Sequence, residues 1–188
     1  MAAAVQAFLD AAGMPRGGDL QRTPERVAQA WRDDFLDGYR ASPDAALGAL
    51  HRAPGSNLVC ATGIDFHSSC PHHLLPYRGL AHLAYLPGTG VVGFSRLARL
   101  VDALAHRLVL QETLARQIAE ALNRGARALG AACVLEAEQA CLSCRGEARA
   151  RAVTRTEAYV GRFSRSAELR GRFAAAISAH RTGGTHGR

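Results

Sequence analysis

The stretch FSRLARLVDALAHRLVLQETLARQIAEAL, residues 94–122, decides the architecture. Phe94, Leu97, Val101, Leu104 and Leu108 recur at spacings of three and four, and Leu110, Leu114, Ile118, Ala121 and Leu122 repeat the pattern. That period gives each of two consecutive helices one apolar stripe. Short apolar runs bounded by Gly and Pro lie on both sides. Residues 58–68 and 80–86 precede the pair, the second run closed by Pro87-Gly88-Thr89-Gly90, and residues 131–141 and 152–163 follow it. These read as strands, so the order is strand, strand, helix, helix, strand, strand within one α+β unit.

Further out, residues 2–12 and 24–37 predict helices, the second opened by Thr23 as N-cap with Pro24 at the first helical position. A last helix is expected over 166–180. This divides the chain into an N-terminal helical arm (1–50), a main domain (51–181) and a tail expected to fray (182–188).

The 188 residues suit one folding unit, and 48% hydrophobic with 21% charged residues excludes a disordered, collagen-like or disulfide-scaffold chain. All 23 basic residues are arginine, against 16 acidic ones, which gives a net charge of +7. Schiff-base chemistry on a lysine is therefore excluded. Arginine grips phosphate bidentately, which points to a polyanionic partner, either a small phosphorylated molecule or nucleic acid. No aromatic-studded basic stripe supports the latter. No signal-peptide pattern or membrane span is apparent, and five cysteines (Cys60, Cys70, Cys133, Cys141, Cys144) favour reduced thiols or metal ligands. A cytoplasmic location is the expectation.

Cys70-Pro71-His72-His73 places a thiol and two imidazoles within four residues, and Cys141-Leu142-Ser143-Cys144 supplies two more thiols. Zinc takes such N and S ligands. Taken alone, the same residues also fit core thiols and a polar loop.

The run from Thr23 to Phe163 resembles the GTP cyclohydrolase I family. Thr23-Pro24-Glu25-Arg26-Val27 is similar to the family's Thr-Pro-x-Arg-Val, and Cys70-Pro71-His72-His73-Leu74-Leu75-Pro76 differs at one residue from its Cys-Glu-His-His-Leu-Leu-Pro. Residues 79–87, 93–102 and Gln111-Glu112 also match. Glu136-Ala137-Glu138-Gln139-Ala140-Cys141 with Arg145-Gly146 resembles the family's Glu-Ala-Glu-His-x-Cys segment and the Arg-Gly after it.

The resemblance implies the tunnelling fold, with four antiparallel strands and two helices between strands 2 and 3, assembled into a homo-oligomer, usually a decamer, with active sites between subunits. It implies zinc held by Cys70, His73 and Cys141, with water in the fourth position to attack C8 of guanine. It assigns His72 to acid/base work, Glu112 to the guanine edge with Gln111 as a second contact, and Ser95 to the ribose neighbourhood. Arg96, Arg99, Arg145 and Arg26 would hold the triphosphate, the first two lying three apart on one helix.

Two departures stand out. Gln139 replaces the family's second catalytic histidine and cannot shuttle protons. Gln139 and Cys141 are two apart on the predicted strand and are expected to face the same side, toward the metal site. Pro71 replaces a glutamate, removing a backbone donor and a carboxylate. Cys144 is an extra thiol, His67 stands where an aromatic residue is usual and could supply an imidazole, and Arg149, Arg151 and Arg155 make residues 147–157 more basic. The expected reaction is conversion of GTP to 7,8-dihydroneopterin triphosphate and formate, as in pterin and tetrahydrofolate synthesis. Two alternatives are a paralogue that stops at a formamidopyrimidine nucleotide or uses another purine nucleotide, and a noncatalytic nucleotide- or pterin-binding protein.

Overall fold

The computed structural model describes residues 1–52, 57–145 and 152–183. In chain order the elements are α1 (Ala2–Ala11), α2 (Thr23–Ala30), α3 (Pro43–Leu47), β1 (Val59–Ser69), β2 (Pro76–Leu86), α4 (Phe94–Ala105), α5 (Gln111–Gly125), β3 (Gly130–Gln139), α6 (Ala140–Ser143), β4 (Val153–Gly161), α7 (Arg162–Arg165) and α8 (Ala167–Gly183). The strands form one sheet in the order β1-β2-β3-β4, every pair antiparallel, with α4 and α5 between β2 and β3. This is the α+β arrangement expected from the sequence.

Strand alternation sorts the sheet into two faces. Tyr77, Ala81, Leu83 and Tyr85 of β2 and Cys133, Leu135 and Ala137 of β3 pack against Leu97, Leu100, Val101 and Leu104 of α4 and Leu114, Ile118 and Leu122 of α5. Each fully buried Leu or Ile there contributes about 1.5–3 kcal/mol of transfer free energy. On the other face, Ala84, Ala132 and Val134 meet Phe163 of α7 and Phe173 and Ile177 of α8. Beyond them the same face opens into a cavity of about 670 Å³ walled by Asp65, His67, Arg78, Leu80, Glu136 and Glu138.

Several boundaries differ from the sequence reading. Helix α2 begins at Thr23 itself, with Arg22 as the N-cap and no side-chain cap bond. It gives way to a π-turn at Trp31–Phe35 and a 3-10 turn at Asp37–Tyr39 rather than continuing to 37. These turns dock the arm. Gly38 sits so close to the end of α4 that a Cβ would lie 2.6 Å from the His106 carbonyl oxygen, and Arg107 Nε donates to the Gly38 carbonyl at 3.0 Å. Strand β4 ends at Gly161, whose φ of +60° turns the chain out of the sheet, so Phe163 lies in α7 and not in the strand. Helix α8 runs to Gly183, so 182 and 183, placed at the start of the fraying tail, are helical, while 184–188 lie outside the described residues. Arg149 and Arg151 lie outside them too. Among the described residues no helix is long and apolar enough to cross a membrane.

Candidate active site

Three segments meet at one end of the sheet. The Ser69↔Pro76 pair closes the β1–β2 hairpin, leaving residues 70–75 as its loop. Cys70 N donates to the Leu75 carbonyl at 2.9 Å and Leu74 N to the Cys70 carbonyl at 2.9 Å, with Leu74 in the left-handed region at φ +54°. The loop buries Cys70 and leaves His72 and His73 exposed, their rings 6.3 Å apart and nearly perpendicular. Tyr77 pairs with Gln139, which brings the end of β3 beside the hairpin. Val109 N donates to the Ser69 carbonyl at 3.1 Å, which sets the start of α5, with Gln111 and Glu112, at the same end.

Tyr77 reports this convergence. Its hydroxyl donates to the Val109 carbonyl at 2.9 Å. Burial, with smaller contributions from Cys70 and Glu112 nearby, pushes its pKa up to about 12. It is a neutral donor at physiological pH.

Strand β3 stops at Gln139, and Ala140–Ser143 wind into a helical turn in which Cys144 N donates to the Ala140 carbonyl at 2.9 Å. Cys141 therefore lies in this turn, half-buried, and the expectation that it shares a strand face with Gln139 is corrected. Two thiols and an imidazole on neighbouring turns suit zinc chemically. As placed, no three His, Cys, Asp or Glu side chains among the described residues close around a point that could hold a metal ion.

Gln111 was expected to contact a ligand; its side chain is instead 3% exposed and engaged within the chain. Nε2 donates to the carbonyls of Leu135 at 3.0 Å and Thr154 at 3.2 Å. Oε1 accepts from Gln139 Nε2 at 2.7 Å and Thr154 Oγ1 at 2.6 Å. An amide offers two donors and two acceptor lone pairs, so its capacity is filled. Glu112, one residue on, is exposed. Thr154 had no role in the sequence reading; a Thr at a strand start is too common a signal to single out.

The arginines sort differently. Arg96 and Arg99 line a separate cleft of about 320 Å³ with Asp37, Ser42 and Asp102, which contains none of the hairpin-end residues. Ser95 is exposed on the first turn of α4, Arg26 is exposed on α2, and Arg145 is exposed just after α6. His67 faces away from Gln139, because Ser68, Tyr77 and Gln139 share the face opposite to His67, Arg78 and Glu138. Its ring stacks on His106 at 4.3 Å and meets Phe35 edge-on at 5.3 Å, and its Nε2 bonds the Asp34 carbonyl at 3.1 Å. His106 in turn holds Asp37 Oδ1 at 2.8 Å. His67 belongs to the contact between arm and sheet and does not stand in for an imidazole at position 139 within this chain.

A family profile described as GTP cyclohydrolase I matches residues 1–178, and the chain belongs to that family of hydrolases. Among curated relatives, GTP cyclohydrolase 1 of Ralstonia nicotianae is 41% identical over 175 residues, covering 93% of this chain and 84% of that protein. The protein of the same name from Chromobacterium violaceum is 43% identical over 156 residues, covering 83% and 76%. The one from Mycobacterium marinum is 42% identical over 171 residues, covering 89% and 84%. Among solved structures, the apo archaeosine synthase QueF-Like overlaps 58% of this chain and 97% of its own, with 16% identity and a TM-score of 0.44.

Proposed function

We propose that the chain acts on GTP as its family does, opening the guanine imidazole ring at C8, releasing formate and yielding 7,8-dihydroneopterin triphosphate. The observation that carries this is the meeting of the Cys70 hairpin, the start of α5 with Glu112, and the Gln139–Cys141 segment at one end of the sheet. Cys70, His73 and Cys141 would hold zinc, which when bound supplies a water acidified to a pKa of about 7.

The chain's own groups do the rest. Glu112 projects into solvent beside Tyr77 and accepts from the guanine N1–H and its exocyclic amine, two donors that one carboxylate takes together. His72, exposed on the loop, exchanges protons with the ring nitrogens as the C8 bond breaks. Arg96 and Arg99, with Arg145 and Arg26, hold the triphosphate. Because the Arg96–Arg99 cleft lies apart from the hairpin end, this reading uses an assembly of several copies, a decamer by resemblance, in which one copy's arginines face another copy's hairpin.

A second reading, a paralogue that stops at a formamidopyrimidine nucleotide, is favoured by one observation. The Gln139 side chain does not titrate, and its nitrogen is engaged by Gln111 and Thr154. Mass spectrometry of products from GTP, with formate quantified in parallel, separates the two. Dihydroneopterin triphosphate with one formate supports the full reaction, a formamidopyrimidine species supports the early stop, and unchanged GTP with metal-loaded protein refutes both.

A further inference from the structure

Gln139 has a fixed orientation, and the buried amide of Gln111 fixes it. The Gln111 nitrogen faces two backbone carbonyls, Leu135 O at 3.0 Å and Thr154 O at 3.2 Å. Carbonyl oxygens only accept, so turning this amide over would set oxygen against oxygen twice in a nearly dry pocket. Gln111 Oε1 must therefore point toward Gln139. Only the nitrogen end of the Gln139 amide satisfies it, at 2.7 Å, and the second Nε2 proton reaches Thr154 Oγ1 at 3.4 Å. Gln139 Oε1 is the end left over, and no group of the described residues donates to it.

We propose that Gln139 is a substrate-contacting residue whose Oε1, the end of the amide left unbonded once Gln111 and Thr154 hold its nitrogen, accepts a hydrogen bond from one donor of the bound purine nucleotide. The donor is an N–H of the base or a hydroxyl of the ribose. This rests on the reading of the hairpin end as a nucleotide site. Position 139 thereby acts as a selector for a donor on its ligand, since an acceptor in the same place would meet Oε1 unpaired. Gln111 serves as the positioning residue, acting through Gln139 and touching no ligand.

The test uses the full-length protein and its Gln139→Met variant, which keeps the side chain's length without its polar atoms. A second variant, Thr154→Val, removes one of the two anchors and keeps the volume. GTP is compared with inosine triphosphate, 1-methyl-GTP, 2′-deoxy-GTP and 3′-deoxy-GTP, each lacking one donor. KM is read where formate is released, and calorimetric Kd where it is not. The expected result is about a tenfold weakening toward GTP in Gln139→Met, with a smaller loss in Thr154→Val. The weakening should vanish for the one analogue that lacks the partner donor, and which analogue this is identifies base or ribose. An equal penalty for all five nucleotides means that Gln139 only packs, and overturns the proposal. Wild-type formate release with an unchanged Gln139→Met overturns it while leaving the proposed function standing. No binding of GTP by wild type overturns both.

Discussion

His82 is a buried imidazole whose refusal of a proton costs the fold stability in mild acid. The side chain is fully buried on β2, where Nδ1 accepts from Gly63 N at 3.2 Å. That bond sets the tautomer, so Nε2 carries the proton. Nε2 has no hydrogen-bond partner, and Glu136 Oε2 is 3.7 Å away. Burial lowers the His82 pKa from the usual 6.5, outweighing the attraction of Glu136, while His180, Arg181 and Arg155 lower it further. Above about pH 6.5 both folded and unfolded chains hold this imidazole neutral, and it adds no pH dependence. Below that, the unfolded chain takes a proton that the folded chain refuses. Stability must then fall by up to about 1.4 kcal/mol per pH unit until the folded pKa is reached. For a chain of this size, each unit costs roughly 3–6 °C in Tm. Glu136, whose pKa is lowered despite its burial by the bond and charge of Arg181 and by His82 and Arg155, loses its contribution only as pH falls through its own range, below 4.5. The His82 window therefore opens first, at about pH 6.5. Thermal unfolding from pH 7.5 to 5 should show the decline in wild type and a flatter profile in His82→Gln, which keeps an acceptor for Gly63 N without titrating. Parallel profiles for the two proteins would refute the assignment.

Other changes bear on the site. Gln111→Leu strips partners from the Leu135 and Thr154 carbonyls and from Gln139, at a cost of about 2–4 kcal/mol; thermal denaturation should register a drop of roughly 4–16 °C. Elemental analysis of purified protein should find one zinc per chain, lost in Cys70→Ser and in Cys141→Ser but kept in Cys144→Ser; retention in all three rejects the ligand set. Zinc-stripped protein in air should join Cys141 to Cys144 and lose two of its five free thiols, whereas a count that stays at five sinks the idea. Gln139→His should raise the yield of the pterin product relative to any formamidopyrimidine intermediate, and an unchanged yield from a folded variant contradicts a proton-transfer limit at that position.

The sheet and its helix pair were legible because period and punctuation are local properties. The stripes of 94–122 each needed an apolar partner, which the flanking strands supplied, and Pro-Gly runs closed the strands. The site was legible as residue types but not as orientations. Cys141 seemed to continue a strand because nothing in Ala140-Cys141-Leu142-Ser143 forbids extension, and the turn after Gln139 is a tertiary choice. Arg96 and Arg99, three apart on α4, line one cleft, and their spacing could not say that Asp37 and Ser42 of the arm form its other wall. Gln111 looked like a ligand contact beside Glu112. Its burial depends on the Leu135 and Thr154 carbonyls, 24 and 43 residues away in sequence.

Successive residues on a helix point about 100° apart, so with Gln111 turned into the core Glu112 turns away from it. The first turn of α5 assigns Gln111 to the core, where it holds β3 and β4, and leaves Glu112 outward. Across the gap, β3 makes the complementary choice, turning Gln139 toward Gln111 and Glu138 to the opposite face. The wall behind the candidate site is thus built of amides and a hydroxyl, none of which titrates near neutrality. Tyr77, held protonated to about 12, adds no exchangeable proton at working pH. The imidazoles at this end of the sheet are His72 and His73, both exposed on the hairpin loop, and the proposed zinc site would take His73. On the proposed assignment of His73 to zinc, His72 is the imidazole left to carry protons, beside the Glu112 carboxylate, and a second imidazole in place of Gln139 would have to come from another copy.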